Sequence, residues 1–302
     1  MVPQIMLSPS GPMCSRLVQG FWRLTQWEKD TKQVQAMIDF CLEQGITTFD
    51  HADIYGEYAC ERLFGAALAD TGIDRSRIQI VTKCGIKLVS RHRPDHRIKS
   101  YDTSPAHILT SVDNSLKCLN TEYIDLLLIH RPDPLMDPAE INEAFVALRD
   151  RGKVRHFGVS NFLPSQFELL ASRLDVPLVT NQVEYSVMHL AAHADGTIDL
   201  CQKLAIRPMA WSPLGGGRLF HQDAEPARRL RETLGRIGHE LGGVSADQVA
   251  LAWILRHPVQ FVVVLGTGRV ARIQKAVEAL DVKLSREQWF EIRRASTGCE
   301  VP

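Results

Sequence analysis

The segment ITTFDHADIYG, residues Ile46 to Gly56, decides how the rest of this chain is read. ITTFD is a short β-type run that ends on an acid, Asp50, and Tyr55 follows in the next turn. The same grammar recurs twice downstream. The run in IQIVTKCGI ends at Lys83, and the run in IDLLLIHRPDP ends at His130. Side chains at the carboxyl ends of several strands are how β/α barrels assemble an active site. Asp50, Tyr55, Lys83 and His130 are therefore the candidate catalytic residues, a proton-handling set that needs no metal. Singly, each is as easily a turn residue or a solvated rim group. Together, at the same end of their strands, they argue for one site.

Outward from this segment, strand and helix alternate. Strands are expected at Arg16–Trp22, Ile46–Asp50, Ile78–Lys83, Tyr123–His130, Val154–Ser160, Leu178–Gln182, around Met209, and at Phe261–Gly266. Between the first two, Val34, Met37, Ile38, Cys41 and Leu42 recur at helical spacing, and Gly45 stops the helix. Further helices are expected at Glu57–Asp70, Ser104–Leu119, Asp137–Arg151, Pro164–Arg173, Asp199–Leu204 and Val270–Leu280. Parallel strands need such crossovers, and eight of them close into a barrel. The fold class expected is α/β, a (β/α)8 TIM barrel over residues 1–302 as a single domain. Three segments exceed the minimal repeat. The first residues suggest a short hairpin across the barrel bottom. Ala224–Leu255 suggests two helices split at Gly242-Gly243, and Ser285–Ser296 suggests an extra terminal helix.

Composition narrows the function. The 302 residues carry 35 Lys plus Arg against 35 Asp plus Glu, so no net charge draws the chain to nucleic acid or an anionic membrane. The longest apolar run is far too short to span a bilayer. The N-terminus lacks a basic region followed by an apolar core, so the expectation is a cytoplasmic protein, monomeric by default. The seven cysteines include no CxxC pair, which disfavours both a zinc cluster and a disulfide framework. Cys84, beside Lys83, is read as a spectator.

A phenol is a poor acid at neutral pH, and a nearby ammonium favours its phenolate. On this reading Lys83 tunes Tyr55, Asp50 holds Lys83, and His130 aims a substrate carbonyl. Such a site suits chemistry that places negative charge on a carbonyl oxygen, of which hydride delivery is one case.

Taken together, these segments resemble the aldo-keto reductases, in the bacterial oxidoreductase branch. GITTFDHADIYG, IVTKCG, YIDLLLIHRPD, GKVRHFGVSNF, NQVEYS and WSPLGGG carry the resemblance, in order and across nearly the whole chain. It implies NADPH-dependent, reversible reduction of aldehydes or ketones, with Tyr55 as proton donor. No GxGxxG follows the first strand, so a Rossmann module is not indicated. Gly215–Gly217 instead offers flexible backbone N–H groups to a phosphate. The resemblance assigns Ser160, Asn161 and Gln182 to the nicotinamide carboxamide and Trp211 to its ring. It draws in Gly20, Trp22, the Ser212-Pro213-Leu214-Gly215 turn and Arg218. It places the adenosine 2′-phosphate at Gly266, Thr267, Gly268, Arg269, Arg272 and Lys275. Two positions depart from the family: Gly266 stands for a frequent Lys, and Lys275-Ala276 for a frequent Glu-Asn pair. NADP preference therefore rests on the arginines and Lys275.

The substrate, a small carbonyl compound, is not named by the sequence. Trp22, Phe162, the Gly85–Thr103 loop and the C-terminal tail are the expected lining. That loop is locally basic through Arg91, His92, Arg93, His96, Arg97 and Lys99. It is either a solvated surface or a preference for acidic substrates. Two rivals stand beside the reductase. One is a metal-dependent barrel hydrolase using Asp50, His51, Asp53 and His130. The other is a non-catalytic regulatory or redox-sensing subunit that keeps the cofactor site.

Overall fold

The computed structural model describes residues 1–69 and 71–300. Eight parallel strands close into one barrel. They are β1 (Leu17–Gly20), β2 (Thr48–Asp50), β3 (Gln79–Cys84), β4 (Ile124–Ile129), β5 (Val154–Ser160), β6 (Leu178–Glu184), β7 (Met209–Trp211) and β8 (Val262–Leu265). Each pairs with its neighbour in sequence, and β8 pairs with β1. The register sets Gly20 beside Asp50, Asp50 beside Val81, and Lys83 beside Leu128. The carboxyl ends of neighbouring strands thus come together on one rim.

The main helices are α1 (Thr31–Glu43), α2 (Cys60–Ala69), α3 (Pro105–Leu119), α4 (Pro138–Asp150), α5 (Pro164–Ala171), α6 (Thr197–Lys203), α7 (Ala227–Glu240), α8 (Ala246–Leu255), α9 (Val270–Glu278) and α10 (Arg286–Thr297). Local chemistry starts them. Asp30 and Gln33 form a capping box on α1, as Ser285 and Gln288 do on α10. Ser104 and Asp137 cap α3 and α4, with Pro at the first helical position of each. Asp70, the expected end of the helix after Tyr55, lies outside the described residues. Among those described, no helix is long and apolar enough to cross a membrane.

Leu7, Val18, Val81, Leu126, Leu128, Val179, Met209, Val262 and Val264 fill the barrel interior. Leu7 belongs to the N-terminal hairpin, Gln4–Met6 against Met13–Ser15, whose carbonyl accepts from Arg207 N–H. The expected hairpin is thus present and stoppers the end opposite the rim. Larger apolar layers lie between strands and helices. Each fully buried Leu, Ile or Phe there contributes roughly 1.5–3 kcal/mol.

The split of Ala224–Leu255 into α7 and α8 and the terminal helix α10 follow the sequence expectation. Two details depart from it. β6 runs on to Glu184, and the Gly85–Thr103 loop contains a small antiparallel ribbon, Ile86–Lys87 with Ser100–Tyr101. The terminal helix is fastened by paired indoles. Trp253 and Trp289 stack at 4.9 Å and 9°. Each ring N–H donates to the other residue's carbonyl, at 3.0 and 3.1 Å.

Candidate active site

β2 ends on Asp50, Lys83 is next to last in β3, and His130 directly follows β4. Tyr55 lies in the turn after β2, where its N–H donates to the Ala52 carbonyl at 3.1 Å. The four residues meet. Lys83 Nζ donates to Asp50 Oδ1 and Oδ2 at 2.7 and 2.8 Å, and to the His51 carbonyl at 2.7 Å. The same nitrogen lies 3.3 Å from Tyr55 Oη. The Tyr55 ring stands edge-on to His130 at 5.9 Å and is tilted against Trp22 at 6.2 Å. Lys83 is 1% exposed and Asp50 2%. Such a buried pair is costly unless further bonds complete it. Gln182 Nε2 supplies one, donating to Asp50 Oδ2 at 2.8 Å.

The protonation states follow from burial. Desolvation first, then the Asp50 carboxylate, hold the Tyr55 phenol well above the usual tyrosine range. The expected lowering by Lys83 is therefore absent from the resting site, because Asp50 offsets the ammonium charge. Burial lowers Lys83, and Asp50 opposes it. Burial and the Lys83 and Arg131 charges hold His130 well below its ordinary range, so it is a neutral imidazole. Its Nδ1 is buried without a partner.

Beside this set lies a second group of polar residues. Ser160 ends β5, and its Oγ donates to the Gln182 carbonyl at 2.8 Å. Asn161 Nδ2 donates to Ser160 Oγ at 2.7 Å, while Asn161 Oδ1 accepts from Trp211 Nε1 at 3.0 Å. Asn161 takes φ 62° and Ser212 φ 49°, uncommon for residues other than glycine. Gln182 uses its amide nitrogen on Asp50, so it serves the buried ion pair as well as facing this group. Gly20 is where β1 and β8 crowd: a Cβ there would meet the Leu265 carbonyl at 2.8 Å.

The turn after β7 is a run of three left-handed glycines. Gly215, Gly216 and Gly217 have φ of 62°, 65° and 96° in succession; the Gly215 and Gly217 N–H groups donate to the Ser212 and Leu214 carbonyls at 2.8 and 3.1 Å, while the Gly216 N–H has no protein acceptor among the described residues. Pro213 is buried beneath it and Leu214 packs on the core. Arg218 braces the turn, donating to the Gly215 carbonyl at 2.9 Å and pairing with Glu184 at 3.0 Å. After β8, Gly266 is exposed with free space around it, and Gly268 lies against the Trp27 ring. Thr267 Oγ1 accepts from Arg269 N–H at 3.2 Å at the start of α9. Arg269, Arg272 and Lys275 are exposed and make no ion pair among the described residues. Arg269 and Arg272 stand at the start of α9, where cations suit a phosphate, while Lys275 lies in its last turn. An aromatic ring, amide groups, a glycine turn and a cationic helix start together fit a nicotinamide dinucleotide.

Three expectations are corrected. Phe162 is 1% exposed and packs in the outer apolar layer, because left-handed Asn161 turns the chain inward; it does not line the mouth. Trp22, half-exposed beside Tyr55, does. The described tail residues Cys299 and Glu300 lie against Arg229 and Arg294 of the outer helices, not over the catalytic group. The proposed metal ligands diverge. His51 is sealed between Phe21 and Phe64, burial holds it at about 3, and both its ring nitrogens lack partners. Asp53 bonds Ser111 Oγ at 2.5 Å instead. Among the described residues no three His, Cys, Asp or Glu side chains are grouped to hold a metal ion. One residue of the site escaped the sequence reading. Arg131, next to His130, lies 5.7 Å from the Trp211 ring centroid. Only that juxtaposition distinguishes it from a rim charge.

Comparison with known proteins agrees with this geometry. The chain is 50% identical over 288 residues to an uncharacterized oxidoreductase, YcsN, of Bacillus subtilis, covering 95% of this chain and 96% of that one. It is 46% identical over 289 residues to a 6-dehydroglucose reductase of Agrobacterium fabrum, with 95% and 96% covered. The crystal structure of the thermostable aldo-keto reductase Tm1743, solved with the inhibitor epalrestat, superposes with TM-score 0.82 at 28% identity, covering 97% and 99%. The family model for aldo/keto reductases matches residues 16–297. With its rim of Asp50, Tyr55, Lys83 and His130 on a closed eight-stranded barrel, the chain belongs to the aldo/keto reductase family.

Proposed function

We propose that this oxidoreductase reduces small aldehydes and ketones to alcohols with NADPH, and that Tyr55 delivers the proton. The observation that carries this is Lys83 Nζ, bonded to both Asp50 oxygens and 3.3 Å from Tyr55 Oη. The bound nicotinamide dinucleotide supplies the hydride. Neutral His130 donates to the substrate carbonyl oxygen and aims it at Tyr55. The raised pKa of Tyr55 keeps its proton on until that oxygen gains charge. The proton then passes from Oη to the oxygen, and the electron pair left on Oη faces the ammonium of Lys83. Asp50 keeps Lys83 charged, and Gln182 keeps Asp50 in place. Ser160 and Asn161 hold the carboxamide, and Trp211 supports the ring. Gly215–Gly217 takes the pyrophosphate. The unpaired charges of Arg269, Arg272 and Lys275 favour a 2′-phosphate and hence NADP over NAD.

The test is NADPH consumption against a panel of aldehydes and ketones, with 6-dehydroglucose included because of the Agrobacterium relative. Tyr55→Phe keeps the ring and its packing. Losing the placed acid removes about two to four decades of rate. Single-turnover reduction by Tyr55→Phe at near wild-type rate, with cofactor bound, would refute the role of Tyr55.

A further inference from the structure

We infer that the site prefers carbonyl compounds carrying a carboxylate, and that Arg131 receives that group. The inference deepens the reductase reading above and rests on it. Arg131 is the first residue after His130, is partly buried, and lies over the Trp211 ring at 5.7 Å. Its charge reaches both Tyr55 and His130. It makes no ion pair among the described residues.

The nearby acids are already engaged. Asp50 is held by Lys83, and Glu184 by Arg218. Asp133, two residues along, accepts from Thr103 Oγ1 at 3.2 Å and from Leu135 N–H at 2.8 Å. From the facing loop, Lys99 adds a second charge that reaches His130, and it too makes no ion pair. Arg131 and Lys99 are thus two basic side chains near His130 with no acid paired to them among the described residues. A guanidinium beside an aromatic ring, with no acid paired to it, has its forked edge available for two carboxylate oxygens. Lys99, exposed and on a loop, draws the anion in without fixing its geometry.

The experiment compares 4-formylbenzoate with its neutral methyl ester, measuring kcat/KM with NADPH. Wild type is expected to favour the acid by roughly 10- to 100-fold, the worth of one charge-assisted pair. Arg131→Gln should bring the ratio near one, and Arg131→Lys should keep part of it. Lys99→Gln should lower it modestly, with the effect vanishing at high salt. A second readout needs no turnover: quenching of tryptophan fluorescence by benzoate against benzamide, in the presence of NADP. Carboxylate-selective quenching that Arg131→Gln abolishes supports the inference even if neither aldehyde is reduced, in which case the reductase reading alone fails. Reduction of both aldehydes at a ratio that Arg131→Gln leaves unmoved overturns the inference and keeps the reductase reading. Weaker NADPH binding by Arg131→Gln, with the ratio unchanged, also overturns it and makes Arg131 a cofactor ligand.

Discussion

Glu61→Gln should make the protein less sensitive to alkaline conditions. Glu61 is 4% exposed on α2, and its Oε1 accepts from Thr82 Oγ1 at 2.6 Å, one residue from Lys83. Burial raises its carboxyl from 4.5 to about 7. A raised acid is protonated in the fold over a range where the unfolded chain has already ionised. Its contribution to stability is complete below the unfolded pKa and is lost as pH rises through the folded one. For this shift the loss between about pH 5 and about pH 8 is roughly 2 kcal/mol. Glutamine keeps a carbonyl for Thr82 and has no proton to lose. The variant should therefore gain on wild type by that amount across the interval. Urea denaturation of both proteins at several pH values reads the difference directly. Asp53, raised to about 7 chiefly by burial, is present in both and largely drops out. A difference that stays flat from acid to alkali would falsify the claim that Glu61 folds with its proton on.

Other perturbations probe the same rim. Lys83→Met leaves Asp50 buried without a counter-ion and should cost about 3–5 kcal/mol; adding Asp50→Asn should recover most of it in chemical denaturation. Arg272→Ala should weaken NADPH at least about tenfold more than NADH by fluorescence titration, since only NADPH carries the 2′-phosphate. Equal losses would remove Arg272 from that site. Gly65→Ala puts a Cβ 2.1 Å from the Cys118 carbonyl, so α2 and α3 must part. A melting temperature unchanged by this substitution would contradict the close packing, which predicts a loss of about 1–3 kcal/mol.

The barrel was readable because its strands announce themselves as apolar runs with helical periods between them. β5 matches its expected bounds, and most other strands differ by one or two residues. The ribbon at Ile86–Lys87 and Ser100–Tyr101 was not readable, since two residues cannot show alternation. The four rim residues were legible from position alone: each lies within the last two residues of a strand or in the turn that follows one. Their protonation was not, because it depends on Asp50 neutralising Lys83 inside a dry pocket, a matter of distance and burial. Phe162 was misread because nothing in the letters reveals that Asn161 adopts a left-handed turn. Arg131 was passed over for the opposite reason. A charge just beyond a strand looks like any rim charge until Trp211, from a distant part of the chain, is found beneath it.

The exchange of bonds between Trp253 and Trp289 bears on how the molecule is made. A ribosome delivers all eight strands before α10 emerges, so the barrel can close while the face of α8 is still bare. Until Trp289 arrives, one indole and one backbone carbonyl there have no cover. Because each tryptophan is both donor and acceptor, a helix docked one turn out of place forfeits both bonds at once. The seating of α10 is therefore fixed by two bonds that are made or lost together, far from the catalytic rim. Two indoles stacked this closely also couple their electronic transitions. The exciton band in circular dichroism should appear only when α10 is seated, giving an optical readout of that docking.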